Sequence, residues 1–200
     1  MRFRLGFLVV LLALSLSGTA HASGDAREVI QVFCDRLLDV MKHGPQLGYQ
    51  GRQDKLRPAV AEAYDMSAMT RGTLGPAANK LTPEESTSLA DTFSRFSVAT
   101  YAEQFNDWDG EKFEVGEPHA STNGMVVVPS RIVPKTGGPV EIDYLMREDQ
   151  GHWRIVDVLF DGSVSQVAVR RSEFVPILRK KGASGLIEML DRQTSTLGQN

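Results

Sequence analysis

The stretch PVEIDYLMREDQGHWRIVDVLFDGSVSQVAVRRSEF, residues 139–174, decides the fold. Its first part alternates. Val140, Ile142, Tyr144 and Met146 face one way, the two-residue period of a strand with one buried side. Gln150-Gly151 then turns the chain. His152–Phe160 carries apolar residues at both parities, which predicts a central strand covered on both faces. Asp161-Gly162 turns the chain again. From Val164 onward Val167, Ala168, Phe174, Ile177 and Leu178 recur at helical spacing. A hairpin that runs straight into a helix points to sheet and helices segregated along the chain.

Working outward, KFEVGEPHAST (112–122) alternates, Asn123-Gly124 is a hairpin signal, and MVVVPSRIV (125–133) is rich in β-branched residues. With the two strands above, this predicts a four-stranded antiparallel meander. The N-terminal half reads as helical. Asp25 and Glu28 have capping-box spacing, followed by Val29, Ile30, Phe33, Leu37, Leu38, Val40 and Met41. Residues 45–52 read as a turn-rich linker, 54–63 as a second helix, and Met66, Met69 and Leu74 as a third that Gly75-Pro76 stops. Thr82-Pro83-Glu84-Glu85 opens a long helix, about 83–107. Leu89, Phe93, Phe96, Tyr101 and Phe105 mark its broad apolar side, and Leu186-Ile187 with Met189 and Leu190 mark a short helix near the end. The expected fold class is α+β, with helices packed on a curved, mainly antiparallel four-stranded sheet that encloses an apolar cavity.

Arg2 and Arg4, the apolar run Leu5–Leu16 and Ala20-His21-Ala22 form a secretory leader, with cleavage after Ala22. Residues 1–22 are then a signal peptide and 23–200 one domain, and a bacterial leader of this kind places the chain in the periplasm. The chain has 22 basic and 25 acidic residues. Cleavage removes two of the basic ones, so the mature chain carries 20 against 25, a net charge of −5. That balance disfavours a nucleic-acid partner and adhesion to anionic lipid. Cys34 is the only cysteine, so an intramolecular disulfide is excluded.

The catalytic spacings HExxH, G-x-S-x-G, CxxC and the phosphate loop do not occur. His43, His119 and His152 sit at or near element ends and read as surface residues. Asp157 stands out, a carboxylate in mid-strand that needs a partner if buried. It reads as a salt bridge to Arg170 or Arg171, or as a general base beside Tyr144 in a cone-shaped cavity. No metal or cofactor is implied.

Residues 139–190 carry an ordered set of features: Tyr144 near a strand end, then Trp153, Ile155, Asp157 and Val158 in a W-x-V-x-D-V pattern with Ile for the first Val. The turn Asp161-Gly162 with Ser165 follows, then Arg171-Ser172-x-Phe174, then Gly182, Leu186-Ile187 and Leu190. Upstream, Tyr64-Asp65-Met66, Leu74-Gly75 and Thr82-Pro83-Glu84 stand in the same order. In this set the chain resembles the MlaC family, also called the toluene-tolerance auxiliary family, of periplasmic phospholipid-binding proteins. One departure is a corner one residue longer, Asp161-Gly162-Ser163-Val164-Ser165, which resembles the hopanoid-associated HpnM branch.

The resemblance implies a lipid carrier with a deep apolar cavity. Its cargo would be a phospholipid or a hopanoid-type lipid, moved between an outer-membrane lipid-handling complex and an inner-membrane ABC transporter with an MCE-type lipid-binding subunit. An acyl chain buries over a dozen methylenes at about 0.8 kcal/mol each, so it needs a hollow rather than catalytic groups to cross water. The candidate lining is Phe93, Phe96, Tyr101 and Phe105 from the long helix, and Met125, Val127, Ile142, Tyr144, Met146 and Val158 from the sheet. Two rival readings remain at this stage. One is an isomerase- or hydratase-like enzyme using Asp157 and Tyr144; the other is a non-catalytic assembly partner with a filled core.

Overall fold

The computed structural model describes residues 22–199. The α-helices of the described residues are α1 (Ala22–Lys42), α2 (Gly44–Ala63), α3 (Met66–Leu74), α4 (Pro83–Gln104) and α5 (Gln166–Thr196). The strands are β1 (Lys112–Val115), β2 (His119–Ala120), β3 (Val126–Val128), β4 (Ser130–Val133), β5 (Val140–Asp149), β6 (His152–Phe160) and β7 (Val164–Ser165). The architecture is α+β.

The predicted four-stranded meander is there, with its first two strands each broken once. β1 and β2 pair with β4 and β3, and β3 and β4 both pair with β5, so each couple acts as one interrupted strand. The breaks face each other. Pro129 has no N–H to give the ladder and sits between β3 and β4. Its carbonyl still accepts from Gly116 at 2.8 Å. Only a glycine lets the chains approach this closely, since a Cβ on Gly116 would lie 2.9 Å from the Pro129 ring. β6 closes the meander against β5, and the short β7 pairs back on β6.

Two sequence expectations about the helices change. Residues 45–52 are not a linker but the first half of α2. Pro45 occupies a first-turn position that tolerates it, and the helix breaks only at Gly48 (φ 61°), a left-handed angle that glycine accepts at little cost. The C-terminal helix is likewise longer than expected, interrupted at Gly182 and running to Thr196. At the other end α1 already begins at Ala22, so Asp25 lies within the helix and is not its N-cap. The box at Thr82 is formed as predicted: its hydroxyl accepts from Glu85 N–H and the Glu85 carboxylate accepts from Thr82 N–H.

α1 lies on the inner face of the sheet, where Ile30, Phe33, Cys34 and Leu37 are fully buried. α4 packs against α2, α3 and α5. Phe33 joins the layers, edge-on to Tyr144 of β5 at 6.2 Å and to Tyr101 of α4 at 5.6 Å.

Candidate lipid-binding site

The site is built on the inner face of β5 and β6. Pairing puts Ile142, Tyr144 and Met146 on that face with Val158, Ile155, Val126 and Val128 beside them. All but Val126 are buried. Where α3, α4, α5 and β6 meet, a cavity of about 120 Å³ opens. Phe93, Phe96 and Tyr101 of α4, Val158 of β6 and Met69 of α3 line it. Phe105 follows at the end of α4, with Tyr101 at 5.8 Å and Phe113 of β1 at 6.2 Å.

Of the ten candidate residues, four therefore line the cavity: Phe93, Phe96, Tyr101 and Val158. Ile142, Tyr144, Met146 and Phe105 belong to the core around it. Met125 and Val127 are misplaced by the sequence reading. Val127 is opposite Leu145, on the other face of the sheet from Tyr144, and Met125 ends the β2–β3 turn. The inward residues are Val126 and Val128. Met69, Tyr64 and Phe160 line the cavity without having been singled out for it. Tyr64 gets there by a single parallel bridge to Ile155, a pairing with no local sequence signal.

The polar groups at the centre of the core are neutral. Burial pushes the hydroxyls of Tyr64 and Tyr144 well above their ordinary range and that of Tyr101 up to about 12. It pushes the Cys34 thiol to about 12 as well. The Tyr64 and Tyr101 hydroxyls hydrogen-bond each other, so these two polar atoms satisfy one another inside the core. Such groups stay neutral across the physiological range. They suit an apolar guest.

Asp157 meets neither sequence expectation. β6 has an extra residue, Val156, where the register shifts between Ile155 opposite Met146 and Asp157 opposite Leu145. The bulge turns Asp157 to the sheet face away from Tyr144, so the acid–phenol pair of the enzyme reading does not form. Nor does Asp157 meet an arginine. Its Oδ1 accepts from Val158 N–H (2.8 Å) and Val167 N–H (3.0 Å), and its Oδ2 accepts from the Ser165 hydroxyl. Ser165 in turn caps α5 by accepting from Ala168 N–H. Asp157 is the buried clasp of the strand-to-helix corner. On this outer face its neighbours Arg154 and Leu159 are only half-buried, so the expected full cover of β6 holds at Asp157 alone.

The two arginines after the corner separate. Arg171 donates from Nε (3.1 Å) and Nη2 (2.7 Å) to the Gly72 carbonyl at the end of α3. Arg170 faces the cavity. A larger groove, about 480 Å³, lies between α1, α2 and the β5–β6 turn over Val29, Phe33, Ala63 and Trp153. Among the described residues no group of His, Cys, Asp and Glu could hold a metal ion, and no helix is long and apolar enough to cross a membrane.

The sequence model of the MlaC protein family matches residues 31–192. The chain belongs to the MlaC family. The match takes in the second half of α1, all of the sheet and most of α5, so the site lies wholly within it. A solved structure with the same fold is the phospholipid-binding protein from Ralstonia solanacearum in complex with a phospholipid. It superposes with a TM-score of 0.75 at 22% identity, covering 88% of this chain and 99% of that one.

Proposed function

We propose that this MlaC-family chain is a periplasmic lipid-binding shuttle. It binds its cargo by the acyl chains between α4 and the inner face of β5 and β6. The observation that carries this reading is the aromatic-lined cavity that opens at the α4–β6 junction. Membership of the family supports it, and so does the shared fold of the Ralstonia protein, which holds a phospholipid.

The cavity of about 120 Å³ lies below the roughly 300 Å³ at which sites for small molecules begin. Cargo entry therefore requires the lining to part. The side chains that move are Phe96, Tyr101 and Met69, which sit on helices rather than on the hydrogen-bonded sheet. All the lining candidates from the sequence other than Met125 and Val127 belong to this proposed site.

In this account the leader directs the chain to the periplasm; residues 1–21 of it lie outside the described residues. Residues 23–200 form the lipid-binding domain. The partners are an inner-membrane ABC transporter with an MCE-type lipid-binding subunit and an outer-membrane lipid-handling complex. The cargo is a phospholipid, or a hopanoid-type lipid if the long corner Asp161–Ser165 marks the HpnM branch.

Incubation of the exported, purified chain with phospholipid vesicles, followed by separation and mass spectrometry, tests the reading. It predicts lipid transferred to the protein. No lipid on the protein at any donor concentration would remove the proposal.

A further inference from the structure

The rim of the cavity differs from its walls. On α4, Ser97, Thr100 and Gln104 stand three and four residues apart, and on α5 Gln166 and Arg170 stand four apart. Each set is one stripe of its helix, and the two stripes face each other across the opening. Among the described residues lining the cavity, Arg170 is the only charged one. Its guanidinium lies 5.0 Å over the Phe96 ring, and its Nη1 donates to Glu173 at 2.8 Å. The side chain is 25% exposed, so it is held at the boundary of pit and water.

The neighbouring Arg171 is spent on a backbone carbonyl. Arg170 is ion-paired with Glu173 through one N–H, which leaves the other four donors of its planar fork free of protein partners among the described residues. The cation–π contact with Phe96 holds the guanidinium at the mouth. An apolar pit, a polar collar and one oriented guanidinium at the water boundary together fit an amphiphile with an oxyanion head, which can take two parallel N–H bonds.

We propose that Arg170 is the headgroup anchor of this site: it binds the lipid phosphate, with the amides of Gln104 and Gln166 beside it, and selects phosphate-bearing amphiphiles over neutral ones with the same chains. This rests on the lipid-binding reading above and adds a residue and a selectivity to it. A hopanoid-type lipid with an uncharged head offers the guanidinium no anionic, bidentate acceptor, so the same residue favours the phospholipid of the two cargoes.

The test is an internal competition. The exported chain is incubated with mixed micelles holding equal amounts of dipalmitoyl phosphatidate and dipalmitoylglycerol, and the ratio bound is read by mass spectrometry. The wild-type chain takes the phosphatidate in about tenfold excess. Arg170→Gln brings the ratio to within about twofold of unity, and Arg170→Lys, which keeps the charge, retains a clear preference. Raising salt from 0.15 M to 1 M in the wild type shrinks the preference, a readout that stands even if the Gln variant does not fold. Equal uptake of both lipids by the wild type overturns the anchor and leaves lipid binding intact. A ratio unchanged in Arg170→Gln, or unmoved by salt, also overturns it. Uptake of neither lipid overturns the lipid-binding reading together with the anchor.

Discussion

Asp157→Ala takes the clasp out of the strand-to-helix corner. The carboxylate accepts three hydrogen bonds, from Val158 N–H, Val167 N–H and the Ser165 hydroxyl. Val158 N–H is adjacent and local. The other two bind β6 to the first turn of α5, and both donors are partly buried. Each donor left without its charged acceptor costs about 1–3 kcal/mol, so the expected loss is about 3–4 kcal/mol. For a domain of this size, 1 kcal/mol moves the melting temperature by about 2–4 °C, which gives a drop of about 6–16 °C. Asp157→Asn keeps Oδ1 and so keeps both backbone donors. It disturbs only the Ser165 contact, with a loss of about 1 kcal/mol and about 2–4 °C. Thermal unfolding of the exported chain, followed by circular dichroism, measures both. The order wild type, Asn, Ala is the signature of an acceptor-only role. An Ala variant within about 2 °C of wild type would refute the clasp. So would an Asn variant as unstable as Ala, since the ionic charge would then matter more than the acceptor geometry.

Three further outcomes follow from the same geometry. Arg171→Ala loses two donors to the Gly72 carbonyl at an exposed site, so it should unfold about 2–4 °C lower yet take up lipid normally below that temperature; impaired uptake by the folded variant would contradict its structural role. Burial raises the Asp143 carboxyl above its ordinary range, against the lowering effect of a Ser130 N–H bond. The native state thus holds that proton more readily than the unfolded chain, and stability is lost as pH rises from the ordinary carboxylate range through the raised native value. Asp143→Asn, which keeps an acceptor for Ser130, should equal or exceed wild type in stability at pH 7, and the gap should close as pH falls below that window; a less stable variant at pH 7 would oppose this. Cys34, buried with its thiol pushed to about 12, should resist alkylation by iodoacetamide at pH 8 in the folded chain and react fully in 6 M guanidinium; equal rates in both would show that α1 does not cover it.

Much of this architecture is legible in the sequence because single residues leave it little choice. Thr82-Pro83-x-Glu85 admits one helix start, and the alternation Val140–Met146 has one phase. The failures have local causes. MVVV offers apolar residues at every position, so its phase is set only by pairing, and pairing puts Val128 rather than Val127 beside Tyr144. β6 carries apolar residues at both parities, so its sequence fixes no phase, and the bulge at Val156 shifts every later side chain by one, which sends Asp157 to the outer face. Nothing in its composition marks that bulge. Residues 45–52 look like a linker because Pro45, Gly48 and Gly51 crowd there, but Pro45 suits a helix start and only Gly48 leaves the helical region. Of the site, the α4 aromatics were readable from their spacing. Met69, Tyr64 and Phe160 join them only through tertiary contacts among α3, α4 and β6.

The measurement that bears most directly on the account is native mass spectrometry of the chain exported with its own leader and purified from the periplasm without detergent. The account predicts a population heavier than the leader-free polypeptide by the mass of one lipid, which collision activation releases as a phosphate-bearing species. A single mass equal to the bare polypeptide, from a folded sample that also fails to take lipid from donor vesicles, would contradict it.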